Sequence, residues 1–201
     1  MPIEISPVHR NLLIEEVLVQ TYLAIEAYNR LRETVANENT RQRREVWAYV
    51  QSALSHTTMI SKYMNPNSNS ALSKARASVL KASLEVVEAS PIFSRNARNN
   101  VEHLDERIDL WIETGPERML ESVFVSRENY EFLNRSEEEL RGWFIKRVYL
   151  IDEDTFISQG KNGLEEIDLA ALMNEVRRIE QTAVRVLSED STVTRVYPNL
   201  T

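Results

Sequence analysis

The chain of 201 residues lacks cysteine, and it contains only four glycines, six prolines and three histidines. The absence of cysteine excludes disulfides and thiolate metal sites. The scarcity of glycine and proline predicts long helices with few breaks, and no segment is rich enough in glycine to form a phosphate-binding loop. The histidines are scattered without a His-x3-His spacing, so we expect no metal site and no cofactor.

Long hydrophobic runs are also missing. The opening segment MPIEISPVHR has no basic region followed by an apolar stretch, which predicts that there is no signal peptide. No window approaches about 18 uninterrupted apolar residues, so we expect no membrane-spanning helix and no membrane partner. A cytoplasmic protein is therefore expected. The net charge of −7 disfavours a protein that coats long nucleic acid by charge alone, but not a local site that grips one or two phosphates.

The composition is that of one soluble globular domain. Hydrophobic residues make up 42% of the chain and charged residues 27%. A chain of this length builds one ordinary core. We predict a single domain over residues 1–201, with a helical bundle core at 1–115, a β-containing insertion at 116–165, and a final helix and tail at 166–201.

Apolar residues recur at helical spacing through the first part of the chain. On the first helix they form two stripes, which predicts burial on more than one side. Asn39 or Thr40 is expected to cap the second helix. The four helices are predicted at about residues 9–35, 40–64, 71–88 and 94–114.

The character of the sequence changes after Pro116. ESVFVS (121–126) and WFIKRVYLI (143–151) have the β-branched and aromatic content of strands, and DEDT (152–155) predicts a turn that makes a hairpin. Ser136 and Glu139 form a capping box for one short helix. Asp168 is expected to cap the last helix, and VYPNLT predicts a C-terminal arm. The expected fold is mainly α, an up-and-down bundle of four to five helices with a small β hairpin inserted before the last helix.

The stretch SRNARNNVEHLDERIDLW (94–111) is crowded with polar and charged residues. On a helical wheel, His103, Asn99 and Glu106 share a face nearly opposite an apolar stripe, which is formed by Ala97, Val101, Leu104, Ile108 and Trp111. Arg98 lies about 140° from His103. Two interpretations stay open at this point: a solvated helix face with i,i+4 pairs, or an active site.

The segment Arg98-Asn99-Asn100-Val101-Glu102-His103 resembles the arginine–polar–x3–histidine signature of HEPN domains, helical ribonuclease-type domains of bacterial toxin–antitoxin and defence systems. Its predicted position, late in a helical bundle, is similar to the position of the motif in that family. The continuation HLDERID is similar to HEPN-like bacterial proteins that close with a short hairpin and a helix. The resemblance covers the helical part loosely and this motif tightly.

The resemblance implies a metal-independent endoribonuclease with RNA as substrate, in a toxin–antitoxin or phage-defence setting. Arg98 would stabilise the phosphate, His103 would act as acid or base, and Asn99 would position the reacting groups. The products would be a 2′,3′-cyclic phosphate and a 5′-hydroxyl. HEPN ribonucleases build a composite site across a two-fold axis, so a homodimer is expected, and an antitoxin or other protein partner is a further possibility.

These residue types suit the chemistry. Histidine exchanges protons near neutral pH, and arginine stays charged and forks onto phosphate oxygens. Glu102, Glu106, His56 and Lys62 are accessory candidates, the last two if the second helix packs against the fourth.

Other features favour different functions. The acidic run around His103 would repel RNA, which favours a non-catalytic HEPN-like module that binds a partner protein or a nucleotide. A third interpretation is a helical interaction protein that matches the motif by chance. The basic cluster RQRR (41–44) at the start of the second helix opposes the helix dipole and suggests an anionic partner.

Overall fold

A computed structural model gives the structure of the protein and describes residues 3–94, 96–97, 99, 103–114, 118–129, 143–160 and 163–190. Several predictions lie outside the described residues. These are the candidates Arg98 and Glu102, the capping box of Ser136 and Glu139, and the arm at the C-terminus.

Five α-helices are described. The long α1 lies at the centre of the helical layer and packs against α2, α3 and α5. Its buried residues include Ile14, Val17 and Leu31 on more than one side, which confirms the burial predicted from the two apolar stripes. The helices are α1 (Pro7–Ala36), α2 (Arg44–Met64), α3 (Ala71–Ser83), α4 (Leu104–Thr114) and α5 (Leu169–Glu189).

A four-stranded sheet precedes α5 in the chain, with the order β1-β2-β3-β4. β1 pairs with β2 in parallel, and the other two pairs are antiparallel. One face of the sheet contributes Tyr149, Phe156 and Ile167 to the main core with the helices, and the other carries a small cluster around Val148 and Ile157. The strands are β1 (Arg118–Phe124), β2 (Trp143–Leu150), β3 (Thr155–Gly160) and β4 (Gly163–Asp168).

The mainly helical class is confirmed, but the sheet is larger than the predicted hairpin. The hairpin itself is present as β2 and β3, whereas β4 and the parallel pairing of β1 were not predicted. Asp168 caps α5 as predicted, because its Oδ1 accepts a hydrogen bond from the Ala171 N–H at 2.8 Å.

Two predicted helix boundaries are wrong. α2 begins at Arg44. Thr40 does not cap it, because its hydroxyl instead donates to the carbonyl of Thr34 near the end of α1, at 2.6 Å. The position before α2 is held by Arg43, which makes no capping bond with its side chain. α3 ends at Ser83 rather than near residue 88, and Glu85 just beyond it has a φ of 55°. Among the described residues, no helix is long and apolar enough to cross a membrane.

The turn between β2 and β3 is fastened to α1 by a buried carboxylate. The Asp154 side chain accepts hydrogen bonds from the hydroxyls of Tyr28 on α1 and Tyr149 on β2. Arg32 lies 3.6 Å from the same carboxylate and donates to the Tyr149 hydroxyl at 3.2 Å. The carbonyl of Asp154 also accepts from the first N–H of α5, that of Leu169, at 3.0 Å. One residue therefore joins the sheet to two helices.

The close approach of a side chain on β4 requires a glycine at position 160, at the end of β3. A Cβ atom at this position would lie 2.5 Å from the side-chain carbons of Glu165 on β4. Glu165 is itself held by Arg107 of α4, whose Nη2 donates to Oε2 at 3.2 Å. We expect Gly160→Ala to destabilise the protein by about 1–3 kcal/mol, because the methyl group must displace Glu165 from Arg107. Urea unfolding would measure the loss.

The same substitution in a Glu165→Ala background provides the control. With the obstructing side chain removed, Gly160→Ala should change the unfolding free energy much less, and the double-mutant cycle should show strong coupling between the two positions. Equal losses in the two backgrounds would show that Glu165 is not the constraint on Gly160.

Candidate functional site

The described residues of the motif segment are helical on both sides of His103. Residues 96, 97 and 99 are helical, His103 lies at a bend, and α4 follows from Leu104. Backbone hydrogen bonds continue across the bend: the His103 N–H donates to the Asn99 carbonyl at 3.1 Å, and the Arg107 N–H to the His103 carbonyl at 3.2 Å. Asn99, His103 and Arg107 therefore follow one another at one-turn intervals.

The anchor of this segment is Arg107, which was not among the predicted site residues. It is the one buried residue of α4 among those whose side chains are described, with 9% of its surface exposed. Its guanidinium donates to the Ser158 hydroxyl at 3.4 Å and to Glu165 at 3.2 Å. In the sequence, Arg107 looks like one more charge in a solvated run. It is buried because the carboxylate of Glu165 on β4 pairs with it. Arg107 thus fixes the turn below His103 to the sheet.

His103 itself is open to solvent. Its side chain is 46% exposed, and its Nδ1 lies 3.1 Å from Oε1 of Glu106. A carboxylate oxygen only accepts, so Nδ1 carries the hydrogen and, in the neutral ring, Nε2 carries the lone pair. The pair therefore presents a ring nitrogen that can take up a proton.

The rest of α4 includes an aromatic contact with the sheet. Trp111 stacks on Phe144 of β2, with ring centroids 5.0 Å apart and planes 10° from parallel. Leu110 and Ile112 on the other sides of the helix are 48% and 71% exposed. The apolar stripe expected to face the core is thus only half-buried at Leu104 and beyond, and Arg107 shares its face.

The accessory candidates on α2 contact neighbouring helices. His56 lies against α1, where its Nδ1 is 2.8 Å from Oε1 of Gln20. The Gln20 amide nitrogen donates to Glu16 at 3.0 Å, which orients its oxygen toward the ring. The carbonyl of Lys62 accepts from Arg76 of α3 at 3.5 Å. The predicted grouping of His56 and Lys62 with His103 stays a prediction.

The position of His56 has a consequence for stability at low pH. Burial lowers the pKa of His56 from its ordinary value, so below about pH 6.5 the unfolded chain takes up more protons than the folded one. The free energy of unfolding should therefore fall as the pH is lowered through this range. We expect His56→Gln to flatten that fall, as measured by urea unfolding at a series of pH values.

The two proteins differ at this one position, so the difference between the two pH profiles isolates His56. Parallel profiles for the wild type and His56→Gln would contradict the assignment.

Asn99, His103 and Glu106 therefore lie close together in the structure, as they do in the sequence. Arg98 and Glu102 lie outside the described residues. Within the described ranges, no group of three His, Cys, Asp or Glu side chains is arranged to hold a metal ion. Comparison with protein-family models, curated proteins and solved structures finds no match for the chain.

Proposed function

We propose that the chain is a metal-independent endoribonuclease of the HEPN type that acts as a homodimer in the cytoplasm, with a toxin or defence role. The observation that carries the proposal is the histidine of the Arg98–Asn99–x3–His103 motif. It lies at the exposed start of α4, with Nδ1 turned toward Glu106 and Nε2 on the opposite edge of the ring.

The chemistry needs a base, an acid and a positive charge at the phosphate. Nε2 of neutral His103 takes the proton from an RNA 2′-hydroxyl, the 2′-oxygen bonds to phosphorus, and the bond to the 5′-oxygen breaks. The leaving 5′-oxygen takes up a proton from solvent water, which yields a 2′,3′-cyclic phosphate and a 5′-hydroxyl. Arg98 neutralises the additional charge on the phosphorane. Glu106 holds the ring in the required tautomer.

A second copy would complete this site. On the helical wheel of the sequence, Arg98 and His103 are about 140° apart, so a two-fold axis that brings the motif against itself would supply both groups to one phosphate. Exposed apolar side chains on one side of α1 support association, since large exposed apolar patches mark interaction surfaces. They belong to Val8, Leu12, Val19 and Leu23.

The experiment is incubation of the purified full chain with several RNAs, including tRNA, in the presence of EDTA. The proposal predicts cleavage with cyclic phosphate ends, by protein that light scattering finds at twice the mass of one chain. Absence of cleavage on every RNA would contradict it.

A second candidate is a non-catalytic module that binds a partner protein or a nucleotide. The acidic run that follows His103 favours it, because Asp105, Glu106 and Asp109 are all exposed and would repel the RNA backbone. Failure of the cleavage experiment would leave this candidate as the better one.

A further inference from the structure

A cavity lies between the first turns of α2 and the strands β1 and β2. Its volume is about 560 Å³, which is within the range of small-molecule sites. We call it the α2–β2 cavity. Its walls include Arg44 and Trp47 from α2, Glu121 from β1, and Lys146 and Arg147 from β2.

A β-bulge shapes one wall of the α2–β2 cavity. Leu120 of β1 pairs with Ile145, but the next residue, Glu121, pairs with Arg147, so Lys146 is an extra residue in β2. Successive side chains of a regular strand point to opposite faces. Here Lys146 Nζ and Arg147 Nε both approach Glu121, at 2.6 Å and 3.3 Å. The bulge interrupts the hydrogen-bond ladder and directs both cations toward the same cavity. Bulges have this use at functional sites.

Among the described residues that line the cavity, the charges do not cancel. Arg44, Lys146 and Arg147 share these walls with one carboxylate, that of Glu121, which is an excess of two positive charges in a chain of net charge −7. Arg44 also belongs to the first turn of α2, where the helix dipole already disfavours a cation. An anion in the cavity would offset both effects.

The guanidinium of Arg147 is held in place for such an anion. It stacks over the ring of Trp47 at 5.4 Å from the centroid, and Trp47 is itself buried. Its Nε is buried and makes no hydrogen bond within the described part of the chain, since Glu121 approaches it outside hydrogen-bond geometry. A buried donor without a hydrogen bond is unfavourable, and a fixed guanidinium is well suited to bind phosphate oxygens.

We propose that the α2–β2 cavity binds a small anion that carries a diphosphate group. Arg44 and Lys146 supply positive charge, the planar Arg147 group donates to phosphate oxygens, and Glu121 pairs with both Lys146 and Arg147 at the cavity wall. The site does not depend on the motif histidine, so it stands or falls separately from RNA cleavage.

Calorimetric titration of the full chain with inorganic pyrophosphate and with ADP tests the proposal. We expect binding of both at low ionic strength. Arg44→Gln and Lys146→Gln should each weaken it at least about fivefold, the loss of one charge-assisted contact, whereas Glu121→Gln should strengthen it. Arg185→Gln is the matched control, because it removes the same charge from an exposed arginine that pairs with Glu85 at 2.7 Å on another surface.

Three results would overturn the proposal. They are the absence of pyrophosphate and ADP binding, a loss in Arg185→Gln equal to that in Lys146→Gln, and binding of a single-stranded RNA oligonucleotide alone. Unfolding midpoints of the variants serve as the folding check. Arg44 is exposed, so its variant reports on binding even if changes on β2 destabilise the sheet.

Discussion

Replacement of His103 by alanine is expected to lower the rate of RNA cleavage in EDTA by at least about 100-fold, the lower end of what a general acid or base contributes. The side chain is exposed, so its loss should leave the fold intact. The effect should therefore appear in the rate of cleavage and not in the unfolding midpoint. Glu106→Gln should reduce the rate less, because its amide oxygen can still accept from Nδ1.

His9→Ala is the matched control for this experiment. His9 is also exposed, and its Nδ1 forms a local hydrogen bond with the Ser6 hydroxyl at 3.0 Å, three residues away. This variant should cleave RNA at the rate of the wild type. A His103→Ala preparation as active as His9→Ala would assign the activity to another group or to a contaminant.

Replacement of Asp154 by alanine is expected to destabilise the protein by about 3–5 kcal/mol, near the upper end of single substitutions. The change leaves the hydroxyls of Tyr28 and Tyr149 without their acceptor in a buried place. Asp154 also has a φ of 48°, a conformation that alanine adopts less readily than aspartate or asparagine. The lost acceptor and the unfavourable φ both destabilise the alanine variant.

The two tyrosine hydroxyls are held in their protonated form, which favours the same hydrogen-bond network. Burial, and then the hydrogen bond with Asp154, raises the pKa of Tyr28 to about 12. Burial likewise raises the pKa of Tyr149. Both hydroxyls therefore keep their hydrogens at neutral pH and donate to the carboxylate. This contribution to stability is complete below pH 10, the unperturbed tyrosine value, and is lost as the pH rises through the folded values.

Asp152→Ala, two residues away in the same turn, removes an exposed carboxylate and should change the unfolding free energy by less than about 0.5 kcal/mol. Asp154→Asn should fall between the two, because asparagine retains an acceptor and tolerates a positive φ. Urea unfolding measures all three. A loss at Asp154→Ala no larger than that at Asp152→Ala would show that the buried carboxylate is not a principal connection between α1 and the sheet.

The helices were predictable where apolar spacing is regular. α1 and α5 bury residues every third or fourth position, and the sequence predicts both. The start of α2 was not predictable in this way, because Thr40 has the chemistry of a cap but its hydroxyl is used by the end of α1. Local patterns do not distinguish these two uses.

The sheet was predictable only in part, for a similar reason. β4 has the sequence GLEEID, in which Leu164 and Ile167 fall on opposite faces and β-branched residues are few. Its strand structure depends on pairing with β3. The parallel pairing of β1 and the bulge at Lys146 likewise arise from tertiary contacts.

For the candidate site, the sequence singled out His103, Asn99 and Glu106 but not the group that positions them. Arg107 looks like one more charge in a solvated run, and its burial depends on Ser158 and Glu165, which are about 50 residues away in the chain. The cavity was signalled only by the basic cluster at residues 41–44, since Lys146 and Arg147 are joined to it by the fold.

The most direct test of the ribonuclease proposal is cleavage, in EDTA, of an RNA with a single 2′-deoxyribonucleotide at the position where the protein cuts. If His103 activates the 2′-hydroxyl, cleavage at that bond should disappear while other cleaved bonds retain their rates and their cyclic phosphate ends. Continued cleavage at the deoxy position, or cleavage that begins only when a divalent metal is added, would contradict the mechanism.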